Sequence, residues 1–367
     1  MCNGKCKPMN ALARLLRREI KQSGPISFAR FMDLALYSPG LGYYERPRLP
    51  GRSGDFFTSV SVGPLFGQLL AFQFALWFDA RLPDGPVQIV ETGAHDGRLA
   101  ADILTWIGRR RPDLLARLRY WLVDPSPARR VWQEKTLRPW GRRIGWARQI
   151  SDMGGGQVSG VIFSNEFLDS LPVHRLAWDA AGRVWREWQV AVQGESFVWR
   201  LGATASVAGL PPVPGELAAV LPDGFVIEAS PLAAAWWSEA AAVLRRGKLL
   251  AIDYGPGGEA WFRPEKPQGT LRAFARHQVC ADLLARPGGQ DLTADVNFSS
   301  LEEAGRKAGL RTEGRWRQAQ FLTHILAQTR VRPETFEPWS SKSAREFQTL
   351  THPEHLGERF QVLLQSR

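Results

Sequence analysis

The chain has 367 residues, 44% of them hydrophobic, enough to build one large domain or two smaller ones around sizeable cores. Its 47 Lys and Arg against 36 Asp and Glu leave a net charge of +11, scattered apart from short runs at Arg109–Arg111 and Arg142–Arg143. There is no aromatic-interleaved basic stripe, no secretory h-region and no stretch near the roughly 18 apolar residues of a membrane span, so composition argues against nucleic acid, secretion and membrane insertion. A cytoplasmic protein is expected. The basic N-terminus, without an acid before Glu19, keeps the mitochondrial matrix as the alternative.

Cys2, Cys6 and Cys280 form no disulfide framework and fit a reducing compartment; zinc at Cys2 and Cys6 would need two further ligands. The arginine bias and 15 tryptophans match GC-rich coding, with an acidic partner as the sharper alternative.

Along the chain, helical spacing over 10–38 is split by Gly24 and Pro25 into two helices, the second capped by Ser27. A Gly/Pro-rich segment runs from Tyr37 to Ser59, long enough to be functional. A helix is expected over Pro64–Phe78. From Val87 the signals alternate: strand Val87–Glu91, helix Arg98–Arg110, strand Tyr120–Asp124, helix Pro127–Leu137, strand Gly160–Asn165, helix Ala233–Leu244, strand Lys248–Asp253. Such alternation implies βαβ units and a mostly parallel sheet. Period-two patterns over 173–200 predict an antiparallel meander, and 202–222 a loop. A helix at Ser299–Ala308 and a strand at Phe321–Ala327 close the series. The fold class is α/β: a Rossmann-like sheet with an N-terminal helical lid and an inserted meander. The divisions are 1–85 for the lid region, 86–330 for the core with its insertion at about 173–222, and 331–367 for a tail packing on the core.

The segment Val87–Leu104 carries the strongest chemical signal. A buried strand ends in Glu91, passes through the turn Gly93-Ala94-His95-Asp96-Gly97 and enters a helix, whose first amides can face a nucleotide cofactor. His95 stands where such turns have a second glycine. Asp124, ending the next strand, suits ribose hydroxyls, the alternative being a solvated loop acid. No Gly-Lys-Ser/Thr loop is present, and the gap from the turn to Asp124 exceeds the roughly 20 residues of an NAD fingerprint, which favours S-adenosylmethionine. Asn165, Glu166 and Asp169 follow the third strand. The two acids could grip a guanidinium and accept its proton, or Glu166 could cap a turn with Asp169 solvated. Asp253-Tyr254-Gly255 is a further rim candidate. His174 and His277 read as structural. No metal spacing and no Gly-x-Ser-x-Gly elbow occurs.

Taken together, SPGLGYY (Ser38–Tyr44), GDFFTS (Gly54–Ser59), LFGQLLA (Leu65–Ala71), ETGAHDGRLAADIL, VDPSPARR (Val123–Arg130), SNEFLDSLPVHR (Ser164–Arg175), LLAIDYG (Leu249–Gly255), GTLRAF (Gly269–Phe274) and DLTADVNFSSL (Asp291–Leu301) resemble the MidA-like family of S-adenosylmethionine-dependent methyltransferases. The mitochondrial members of that family are complex I assembly factors acting as protein arginine methyltransferases. The resemblance implies that Gly54, Asp55 and Thr58, with Glu91, Gly93, His95 and Gly97, face the cofactor. It implies that Asp124 binds the ribose and that Asn165, Glu166 and Asp169 line the methyl-transfer site. A protein partner with an accessible arginine is the implied acceptor. His95 departs from the family's glycine, which opens a second reading as an inactive assembly or binding factor; a third is methylation of a small molecule. The sequence does not fix the oligomeric state.

Overall fold

The computed structural model describes residues 10–46, 58–82, 84–153, 157–210, 213–256, 262–275, 278–331 and 333–367. Gly54, Asp55 and His277 lie outside them. The chain forms two compact units, each discontinuous in sequence: one of residues 1–48, 170–231 and 263–294, the other of 49–169, 232–262 and 295–367.

The larger unit holds a seven-stranded sheet. In chain order its elements are α1 (Leu65–Arg81), β1 (Val87–Thr92), α2 (Arg98–Arg110), β2 (Leu118–Val123), α3 (Pro127–Leu137), β3 (Ile144–Ala147), β4 (Val158–Asn165), α4 (Pro231–Val243), β5 (Leu244–Tyr254), α5 (Phe298–Lys307), β6 (Arg311–Arg317), α6 (Gln318–Val331), α7 (Ser341–Thr351) and β7 (Phe360–Ser366). The strand order is β6-β7-β5-β4-β1-β2-β3. β1 to β5 run parallel; β7 is antiparallel to both β5 and β6. The chain lays β1, β2 and β3 outward in one direction, then crosses back to place β4 on the other side of β1. That reversal is a topological switch point, where open α/β sheets bind their ligands.

Both faces of the sheet are covered. Ile89, Tyr120, Phe163, Leu250 and Val362 join one core cluster with Leu70 and Phe74 of α1, Ile103 of α2, Phe321 of α6 and Leu350 of α7. Val90, Ile162, Ala251 and Leu363, the alternating residues of the same strands, are also fully buried. Hence the strands read as near-continuous apolar runs. The strands approach too closely for a side chain where β4 passes β1 and where β5 passes β4: a Cβ on Gly160 would lie 1.8 Å from the Gln88 carbonyl oxygen, and one on Gly247 1.8 Å from that of Gly160.

The smaller unit contains the meander expected over 173–200, as strands His174–Asp179, Val184–Gln193 and Ser196–Thr204. Val226–Ala229 and the short Ile26–Ser27 complete that sheet. Phe28 and Phe31 of the helix Phe28–Tyr37 pack on Trp199 and Phe197 at ring-centroid distances of 5.0 and 5.6 Å. Ser27 caps that helix as expected, its hydroxyl accepting from the Arg30 amide at 3.1 Å. His174 is paired with Glu187 on the adjacent strand at 2.6 Å, in line with its structural reading. Part of the loop expected over 202–222 is a short helix, Gly215–Val220.

Two corrections concern the end of the chain. The strand expected at Phe321–Ala327 is helix α6, whose buried Phe321, Leu322, Ile325 and Thr329 recur at helical spacing. The sheet is closed instead by β6 and β7. β7 is fastened through a polar hub: fully buried Gln365 accepts from Trp237 Nε1 at 2.7 Å and donates to the Glu302 carbonyl and Thr312 Oγ1, both at 3.0 Å. Gln365→Leu leaves the Trp237 N–H buried and unpaired. It is expected to cost about 3 kcal/mol, read as a lower urea midpoint at unchanged m-value. A variant within about 0.5 kcal/mol of the parent would show that the hub does not hold β7.

Candidate functional site

Of the residues singled out by sequence, Glu91, Gly93, His95, Gly97, Asp124, Asn165, Glu166 and Asp169 lie at or just after the carboxyl ends of β1, β2 and β4. After Thr92 the chain turns sharply, with Gly93 at φ 79° and Gly97 at φ 83° opening α2. Gly93 is required twice, by its positive φ and by Phe167, whose ring lies 2.8 Å from where a Cβ would sit. His95 also has positive φ, 46°. The backbone therefore asks for glycine there, and the imidazole accepts left-handed strain of about 1 kcal/mol. Its side chain is 43% exposed, near Asp96 and, at 6.0 Å between ring centroids, Trp132. Burial pushes the Asp96 carboxyl up, but His95 and Arg98 more than offset this and hold it below the ordinary carboxylate range.

Glu91 is buried and accepts the Tyr120 O–H at 2.6 Å; burial raises its pKa to about 7 despite that bond. Asp124 has a side chain only 3% exposed. It accepts from Ser126 N at 2.9 Å, from Arg129 Nε and Nη2 at 2.7–2.9 Å, and from Gln133 Nε2 at 3.2 Å.

At the end of β4, Glu166 adopts φ 51°. Its Oε1 accepts from Ser59 N at 2.9 Å and Asn165 Nδ2 at 3.1 Å. Burial raises its pKa to about 8 against those two bonds. Ser59 is presented by the turn that follows the GDFFTS segment, in which Thr58 forms a capping box with Ser61. Thus Thr58 serves the local backbone, and the amide beside it reaches Glu166. Asp169 is buried on the turn Leu168–Ser170. Fully buried Asp253 holds that turn from β5: its Oδ2 accepts from Phe167 N at 3.0 Å and Leu168 N at 2.7 Å, and its Oδ1 from Tyr254 N at 2.8 Å. Burial lifts its pKa to about 7.

Among the described residues, Glu91, Glu166 and Asp253 make no ion pair, so three acids, Glu91 and Asp253 buried and Glu166 half-buried, stand at the strand ends without a cation. The hydroxyls of Thr92 and Ser164 and the Asn165 Oδ1, on the same strand ends, are buried without a hydrogen-bond partner. A ligand with a positive centre and several polar groups would satisfy both, and S-adenosylmethionine has that chemistry.

A family model described as "putative S-adenosyl-L-methionine-dependent methyltransferase" matches residues 69–315. The chain belongs to this methyltransferase family. Among its relatives, the protein arginine methyltransferase NDUFAF7 homolog, mitochondrial, of Drosophila melanogaster is 30% identical over 96% of this chain and 84% of its own. The Homo sapiens protein arginine methyltransferase NDUFAF7, mitochondrial, is 29% identical over 96% and 82%. A crystal structure from Burkholderia thailandensis, bound to S-adenosyl-homocysteine, is 34% identical and superposes with a TM-score of 0.78 over 97% of this chain and 92% of that one.

This methyltransferase also uses residues that sequence reasoning passed over. Tyr120, Arg129 and Gln133 bind the predicted acids from buried positions. Arg129 lies within the VDPSPARR motif without a role assigned to it, and the sequence signal for Gln133 is its i, i+4 spacing from Arg129 on α3. Asp253 was a rim candidate; its task as the anchor of the 167–168 amides needs the fold to be seen.

Two outcomes follow. His95→Gly removes left-handed strain but loosens the unfolded chain, so a net gain of up to about 1 kcal/mol is expected in urea unfolding; a loss above that size would show that the imidazole is structurally required. For the acids, folded pKa values of about 7 to 8 lie above ordinary carboxylate values, so the native state binds more protons. Their contribution is retained at low pH and lost as pH rises through about 7 to 8. Glu166→Gln is expected to raise Tm at pH 8.5 by about 3 °C more than at pH 5.5; equal shifts at both would contradict the raised pKa of Glu166.

Proposed function

We propose that the chain N-methylates arginine on a protein partner. The observation that carries this reading is the set of acids without a cation at the switch point, half-buried Glu166 foremost, which calls for a cationic acceptor. The names of the NDUFAF7 relatives support the same acceptor. In this reading the turn Gly93–Gly97, Glu91 and Thr92 hold the cofactor, Asp124 faces its ribose, and Gly54, Asp55 and Thr58 border it. S-adenosylmethionine supplies an electrophilic methyl group on a sulfonium.

Asn165, Glu166 and Asp169 line the acceptor's approach. Asn165 and the Ser59 amide fix one oxygen of Glu166. The other oxygen, ionised beside the cationic guanidinium, would orient one of its nitrogens and take its proton as the N–C bond forms and the bond from the methyl to sulfur breaks, S-adenosyl-homocysteine leaving. Catalysis comes mainly from holding the nitrogen in line and from the charge environment, because the donor is already reactive. His95, exposed at the rim, does not decide between an active enzyme and an inactive binding factor; the acids do. As to compartment, the relatives are named as mitochondrial, which speaks for the matrix setting rather than the cytoplasm. Among the described residues no helix is long and apolar enough to cross a membrane.

Calorimetry and a methylation assay on arginine and lysine peptides test the reading. S-adenosyl-homocysteine should bind, and arginine should be the modified residue. Glu166→Gln should lower kcat by about 100-fold or more while changing cofactor affinity less than about 3-fold. Transfer to lysine, or unchanged turnover in Glu166→Gln, would overturn it.

A further inference from the structure

The residues around Asp124 form a connected network buried within the larger unit. Arg129 and Gln133 lie one helical turn apart on the same face of α3. Arg129, 7% exposed, reaches the Asp124 carboxylate with two nitrogens. Gln133, fully buried, spends its amide on two acceptors at once, Asp124 Oδ2 at 3.2 Å and the His95 carbonyl at 3.1 Å. Its own oxygen accepts from Trp146 Nε1 on β3 at 3.2 Å, which fixes the orientation of the amide. α3 also closes on the other end of the turn, where a Cβ at Gly97 would lie 3.2 Å from Leu137. One helix therefore ties together the acid after β2 and the carbonyl of the strained residue after β1.

We infer that Arg129 and Gln133 are positioning residues for the cofactor: Arg129 holds the Asp124 carboxylate in one rotamer, and Gln133 sets its place relative to the His95 carbonyl. An ionised carboxylate withdrawn from water is costly without a cation, and Arg129 supplies one in a forked, directional grip. With both carboxylate oxygens fixed by these donors and by the Ser126 amide, a ribose hydroxyl meets Asp124 in one orientation. The inference rests on the proposed contact between Asp124 and the ribose.

The test compares the affinity of S-adenosyl-homocysteine with that of its 2′,3′-dideoxy analogue, by calorimetry, in the full chain and in Arg129→Met, Arg129→Lys and Gln133→Met. The parent should prefer the hydroxylated ligand by about 30-fold or more. Arg129→Met should bind S-adenosyl-homocysteine more weakly and reduce the preference to about 3-fold or less, with Arg129→Lys intermediate. Gln133→Met, which keeps the Arg129 grip, should reduce it part-way; it carries the test if Arg129→Met fails to fold. A purely structural role would weaken both ligands equally and leave the ratio intact in the variants, and that result overturns the inference. A parent that binds the two ligands equally well would instead remove the ribose contact itself, and the inference with it.

Discussion

Asp253 Oδ2 accepts the amides of Phe167 and Leu168 where β4 leaves the sheet, and its Oδ1 takes the Tyr254 amide. The rest of the site depends on this buried carboxylate. Those amides follow Glu166, held at φ 51°, a conformation that a non-glycine residue keeps only when its surroundings impose it. Phe167, fixed by the same bonds, lies against Gly93 and so presses the β4 turn onto the turn Gly93–Gly97. An acid on β5 thereby sets the backbone of β4, which sets the spacing to β1. Asp253 was chosen for that task at a cost in burial, visible in its raised pKa of about 7.

The same tension runs through the neighbouring acids. Glu91 and Glu166 are destabilising as carboxylates because burial raises both well above their ordinary value. A fold selected only for stability would carry Gln at both positions. Buried acids without cations make sense where the missing positive charge arrives with the ligand. His95 fits a different logic. It occupies a glycine conformation with a side chain only partly covered, so the imidazole strains the turn without being packed into it.

Much of this was legible in the sequence where local pattern and tertiary role agree. The helices Arg98–Arg110 and Pro127–Leu137 begin and end where spacing and caps placed them. The parallel strands stood out as apolar runs because both faces of the sheet are covered. The C-terminal strands were not legible, for opposite reasons. β6, RTEGRWR, is polar and only half buried, so it shows no apolar period. The apolar FLTHILA, a strand by composition, is wound as a helix because its buried face has a period near four. At the site, the acids were visible as strand-end residues, but their partners were not. Tyr120, Arg129, Gln133 and Asp253 act across 5 to 86 positions of sequence, distances that only the folded sheet closes.

The central claim is that the cofactor sits at the switch point between β1 and β4 and is bordered by the end of β2. Hydrogen–deuterium exchange with and without saturating S-adenosyl-homocysteine tests it most directly. The expected result is slower exchange confined to the amides of 91–98, 124–133 and 164–168, with the distal strand ends unchanged. Binding of S-adenosyl-homocysteine with protection elsewhere, and none in these three segments, would contradict it.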